Sequence, residues 1–117
     1  MVKIEGHKDL IVWQKAVDFV PTIYSETSRW PREELYGLTS QIRRAAVSVP
    51  SNIAEGAARG SQKDFIRFLN ISLGSLAEVE TQMEIAKRLK FVLNPTELEC
   101  NITEIRKMLL GLRKSLK

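Results

Sequence analysis

LTSQIRRAAVSVPSNIAEGAARGSQKDFIRFLNISLGSLAEVETQ, residues Leu38–Gln82, is the stretch whose reading decides the fold. It reads as two long helices meeting at Arg59-Gly60-Ser61. Small residues concentrate on both arms: Ala45, Ala46, Ala54, Gly56, Ala57 and Ala58, then Ser72, Gly74, Ser75 and Ala77. Small side chains let two helix backbones approach closely, so the arms are expected to pack on each other. On the first arm Leu35, Leu38, Ile42, Ala45 and Val49 form a helical apolar stripe. Pro50 interrupts it, but Ser48, Ser51 and Asn52 can bond the backbone groups a proline frees. One bent helix over residues 33–58 is therefore expected, rather than two short ones. Ser61 followed by Asp64 resembles a capping box and starts a helix over 62–90. Its seam is Phe65, Leu69, Ser72, Leu76, Val79, Met83 and Ala86, widened by Phe68, Ile71 and Leu73. So wide an apolar arc suggests burial on more than one side, and hence an oligomer.

Outward from this pair, the pattern repeats twice. Leu10, Trp13, Val17, Val20 and Tyr24 step by 3 and 4 along a helix over 9–28, with Asp9 as its expected cap. Pro21 falls inside it and is expected to kink rather than end it. Asn94-Pro95-Thr96-Glu97 carries a helix-start signature for a helix over 95–116. Its seam is Leu98, Ile102, Ile105, Leu109, Leu112 and Leu116. Four such helices with short connections imply an all-α, antiparallel up-and-down four-helix bundle. Residues 1–117 are expected to form one domain, with residues 1–8 a flexible N-terminus.

Composition narrows the chemistry. No apolar run reaches the length of a membrane span, and no secretory signal is visible, so a bacterial cytoplasmic protein is expected. One histidine, His7, and one cysteine, Cys100, are too few for a structural zinc site, a Glu-x-x-His di-metal site or a Cys–His nucleophile. Gly56–Gly60 lacks the Lys-Ser/Thr ending of a phosphate loop. No catalytic residue, metal or cofactor is expected. Asn52, Glu55, Glu78 and Gln82 are read as a structural polar lock between helices, answering arginines such as Arg43 or Arg44.

The basic residues remain. The formal charge is +4, and its distribution is uneven. Arg43, Arg44, Arg59, Lys63 and Arg67 stand on or near the central junction, and Lys87 and Arg88 near the far end of the third helix. Residues 106–117 hold five cations and no acid. Arginine's planar fork donates two hydrogen bonds to a phosphate at once. These residues read either as a nucleic-acid-binding face or as solvated helix surface with a dipole-favoured cationic end. With no sequence-reading motif beside them, binding would be phosphate-led, weakly sequence-specific and salt-dependent.

LTSQIRRAAVSVPSNIAEGAAR (Leu38–Arg59) followed by FIRFLNISLGSLAEVETQ (Phe65–Gln82) resembles the proteins encoded in intervening sequences of bacterial 23S rRNA genes, the ribosomal-protein-like S23 family. LIVWQKA (Leu10–Ala16) fits the same family's N-terminal part, and the likeness spans roughly residues 9–115. The resemblance implies a left-handed bundle assembled as a homopentamer. Through the distantly related accessory variability determinants of diversity-generating retroelements, it implies RNA or DNA binding. The alternative it offers is a protein-interaction scaffold recruiting a partner enzyme such as a reverse transcriptase. Two departures stand out: Pro21 where many relatives continue an unbroken helix, and Lys90 where a glycine often ends the third.

Overall fold

The computed structural model describes residues 6–117, and every regular element among them is helical. Four helices carry the fold: α1 (Ile11–Thr27), α2 (Leu38–Ala58), α3 (Gln62–Arg88) and α4 (Thr96–Ser115). Cross-helix bonds fix their directions. Ser48 meets Ser75, and the buried Ser72 donates to the Val49 carbonyl, so α2 and α3 run antiparallel. Lys87–Glu99, Glu80–Arg106 and Asn70–Arg113 set α3 against α4 in the same way. Arg43 donates to Thr27 between α2 and α1, and Lys15 meets Glu104 between α1 and α4. The bundle is up-down-up-down, about 46 × 25 × 19 Å.

The small residues act where the central hairpin is tightest. A methyl group at Gly56 would lie 2.7 Å from the Phe68 Cβ and 3.1 Å from Phe65. Helix α2 runs through Pro50 as one element. Around the proline, Ser51, Asn52 and Ser72 donate to the carbonyls of Val47, Ser48 and Val49 in turn. These bonds give extra donors to the turn where Pro50 supplies no amide. Helix α1 likewise continues through Pro21.

The core follows the expected seams on α3 and α4, with Leu112 and Leu116 half-buried. On α1 the structure differs from the sequence reading. The buried face is Val12, Ala16, Phe19 and Ile23, whereas Val17 and Tyr24 are exposed and Leu10, Trp13 and Val20 only flank the core. The helix is apolar over so wide an arc that two stripes satisfy the same period. The one containing the small Ala16 lets α1 come closer.

Helix ends differ too. Asp9 does not cap α1; it belongs to a 3-10 turn, His7–Asp9, whose His7 ring meets Trp13 edge-on at 4.9 Å. The first part of the expected flexible segment, residues 1–5, lies outside the described residues. Helix α2 starts at Leu38, not near residue 33: Arg32–Glu34 form a separate 3-10 turn, and the Glu34 carboxylate accepts the Leu38 amide at 3.2 Å. Leu35 is thereby left exposed. At α4, Pro95 itself occupies the cap position and Asn94 makes no capping bond. Ser61 does cap α3, accepting the Asp64 amide. Helix α3 ends at Arg88 in a left-handed turn at Lys90, φ 65°. The Phe91 amide bonds the Ala86 carbonyl and the Lys90 amide that of Lys87, the paired bonds of a Schellman ending.

Candidate nucleic-acid interface

The sequence-selected cations do not form one patch. Arg43 is tied to the end of α1: it donates to the Thr27 hydroxyl at 2.9 Å and stacks on Tyr24 at 4.5 Å. Arg44 is exposed one position further, with no ion partner among the described residues. Arg59 and Arg67 both place their guanidinium carbons close over the Phe68 ring, at 4.8 and 4.6 Å. Their ion pairs, with Glu55 at 3.7 Å and Asp64 at 3.8 Å, are long and exposed. Exposed pairs of this kind are worth at most about 1 kcal/mol, so both arginines are free to take another anion. Lys63 is exposed between them on the first turn of α3.

Lys87 and Arg88 stand roughly 36 Å from Lys63 along α3. There they are paired with Glu99 and Glu84. The Arg88 guanidinium, bonded to Glu84, holds that carboxyl below the usual carboxylate range. A groove between α3 and α4 opens here, lined by Glu80, Glu84, Lys87, Arg88 and Glu99, and its charges answer one another.

What joins the junction cations instead comes from α4. Because α4 runs antiparallel to α3, with Arg113 bonded to Asn70, its last turn returns to the α2–α3 junction. Arg113, Lys114 and Lys117 therefore share a pole of the bundle with Arg59, Lys63 and Arg67. Lys8, in the 3-10 turn before α1, lies at the same pole. Asp9, Glu55 and Asp64 are the acids there among the described residues. The opposite pole mixes Arg29, Arg32, Lys87, Arg88 and Lys90 with at least as many glutamates, among them Glu26, Glu33, Glu34, Glu84, Glu97 and Glu99. The 106–117 run was visible in the sequence, but only the antiparallel topology joins it to the junction.

The polar residues read as a lock behave unequally. Asn52 bonds Ser48, which bonds Ser75 across the hairpin. Glu55 turns outward to Arg59, and Glu78 is exposed. Gln82 is 6% exposed; its Nε2 reaches Glu78 only at 3.5 Å, and its Oε1 has no partner among the described residues. A buried carboxylate escaped the sequence reading altogether: Glu26 accepts from the Trp30 indole and from Arg29. No group of three or more His, Cys, Asp or Glu among the described residues could hold a metal ion. No helix among them is long and apolar enough to cross a membrane.

Fold and charge together define a class: an up-and-down four-helix bundle whose excess positive charge lies at one end, the cations of the other being balanced by glutamates. The chain belongs to the 23S rRNA-intervening sequence protein family, whose sequence pattern matches residues 8–111. Among solved structures it is similar to a protein of unknown function from the S23 ribosomal protein family of Bacteroides thetaiotaomicron VPI-5482. The two are 28% identical, with a TM-score of 0.81, over 92% of this chain and 98% of that one. No curated protein matches it.

Proposed function

We propose that this protein is a non-enzymatic, homo-oligomeric nucleic-acid-binding protein, with a pentamer as the expected assembly. Binding is led by phosphate contacts from the basic pole and reads little sequence. The observation that carries the reading is the gathering of Arg59, Lys63, Arg67, Arg113, Lys114 and Lys117 at one end of a bundle whose other end is charge-balanced. Several copies in one assembly would present that pole repeatedly, which multiplies weak phosphate contacts. Arg44 remains a candidate contact, whereas Arg43 is held by Thr27 and Tyr24, and Lys87 and Arg88 stand at the end where glutamates balance the cations.

Binding of the purified protein to a structured RNA across a salt series tests the reading. Affinity falling linearly with log salt is expected, its slope giving the phosphates neutralised. Absence of binding at low salt would overturn it and favour the scaffold alternative, in which the bundle recruits a partner enzyme such as a reverse transcriptase. Retention of one protein partner after nuclease treatment would support that second role.

A further inference from the structure

The basic pole presents cations without an aromatic surface beside them. Its rings are taken up by the bundle: Phe65 and Phe68 of α3 are buried, and Trp13 of α1 packs against the core with the His7 ring on it edge-on. Phe68, 5% exposed, is also covered by the Arg59 and Arg67 guanidiniums, so no base can reach its face. The exposed tyrosines stand elsewhere. Tyr24, in the last turn of α1, is stacked by Arg43, and Tyr36, 92% exposed, lies just before α2; both belong to the charge-balanced end. Proteins that hold single-stranded nucleic acid without reading its sequence combine cations along the backbone with aromatic side chains on which bases stack. Among the described residues, the pole supplies the cations and not the stacking rings.

The placement of the cations is a second observation. They come from separate helix ends: Arg59 closes α2, Lys63 and Arg67 start α3, and Arg113 and Lys114 end α4 with Lys117 just beyond. The bundle fixes these ends, so the cations are spread over a cross-section of about 25 × 19 Å rather than strung along one line. That spread exceeds the roughly 12 Å width of a major groove, which puts phosphates on both strands of a duplex within reach together. A duplex also carries one charge per about 1.7 Å of its axis, twice the density of a single strand. It therefore brings more phosphates to a fixed set of cations. A flexible single strand would have to be ordered against the same points, with no stacking to offset the cost.

We propose that the ligand of the basic pole is double-helical nucleic acid, held by phosphates of both strands, and that single strands are bound poorly. The inference rests on the nucleic-acid reading above and narrows its ligand. Duplex RNA and duplex DNA share the chemistry invoked, so the test carries both. Fluorescence anisotropy of the purified full chain at one low salt concentration is compared for four labelled probes: an RNA duplex, a DNA duplex of the same length, and an unstructured single strand of each kind. At least one duplex is expected to bind about tenfold or more tightly than its own single strand, the factor that one absent base-stacking contact is worth. A margin in both sugars would assign the ligand to duplex phosphates in general; a margin in RNA or DNA alone would assign it to that helix form. If neither duplex reaches the margin, this inference is overturned and the nucleic-acid reading stands. Absence of binding to all four probes would overturn both. Lys63→Ala with Lys114→Ala and Lys117→Ala removes exposed cations only, and helical circular dichroism checks that the bundle is kept. In this variant duplex affinity should fall to that of the single strand; a margin that survives intact would overturn the assignment to this pole.

Discussion

Gly56 shows how one atom sets a helix separation. Its missing Cβ is the space into which Phe68 and Phe65 of α3 pack. Alanine there gains about 1 kcal/mol of helix propensity but forces a Cβ–Cβ approach of 2.7 Å between two backbones. Overpacking of that kind costs about 1–3 kcal/mol, and because neither Cβ can rotate away the clash wins. Set against the propensity gain, Gly56→Ala is expected to lower unfolding stability by up to about 2 kcal/mol, read from urea midpoints. Lys90 is the converse case. A side chain at φ 65° is held in the left-handed region that glycine occupies freely. Lys90→Gly is expected to raise stability by about 1 kcal/mol, and an unchanged midpoint would show that the turn carries no strain. Both positions were legible in the sequence to different degrees. Gly56 sits among alanines and announces close packing, whereas the left-handed angle at Lys90 was marked only by the resemblance, in which a glycine often stands at that position. Gln82 was legible only as polar; its burial depends on packing between helices that side-chain type does not encode.

Helices were legible as elements and less so at their ends. Periodicity located all four and carried α2 through Pro50, where Ser51 and Asn52 donate to the carbonyls of Val47 and Ser48. Caps were less predictable, because a cap depends on how the preceding chain arrives. Ser61 caps α3 because Gly60, at φ 84°, turns the chain into extended geometry just before it. Asn94 fails at α4 because Pro95 takes the cap position, and Asp9 fails at α1 because it is drawn into a 3-10 turn. The contrast gives a prediction at this scale. Ser61→Ala should destabilise the protein by about 1 kcal/mol in denaturant unfolding, the cost of an orphaned N-terminal amide. Asn94→Ala should leave the midpoint unchanged within about 0.5 kcal/mol, as for a surface site that makes no capping bond. The α1 stripe failed for a different reason. When a helix is apolar over most of its circumference, period alone selects neither face.

At the scale of the whole molecule, topology converts a linear charge pattern into a polar one. Residues 59–67 and 113–117 are far apart in sequence, but alternate helix directions bring them to one end, while Lys87 and Arg88 go to the other. If subunits of the proposed oligomer pack side by side in one sense, every basic pole falls on the same side of the assembly, which then offers one extended cationic surface. The two ends can then be told apart by salt dependence. Removing one cation that meets a phosphate should reduce the slope of log affinity against log salt by about 1. Lys63→Ala, Arg67→Ala and Lys114→Ala, combined, should weaken binding to a structured RNA and flatten that slope by about 2–3 if each meets a phosphate. Lys87→Ala with Arg88→Ala removes the same kind of charge at the opposite end and should leave the slope unchanged. Comparable weakening by both sets would mean that net charge, rather than the pole, governs binding. Weakening confined to the first set would assign the binding surface to the end that α2, α3 and α4 build together.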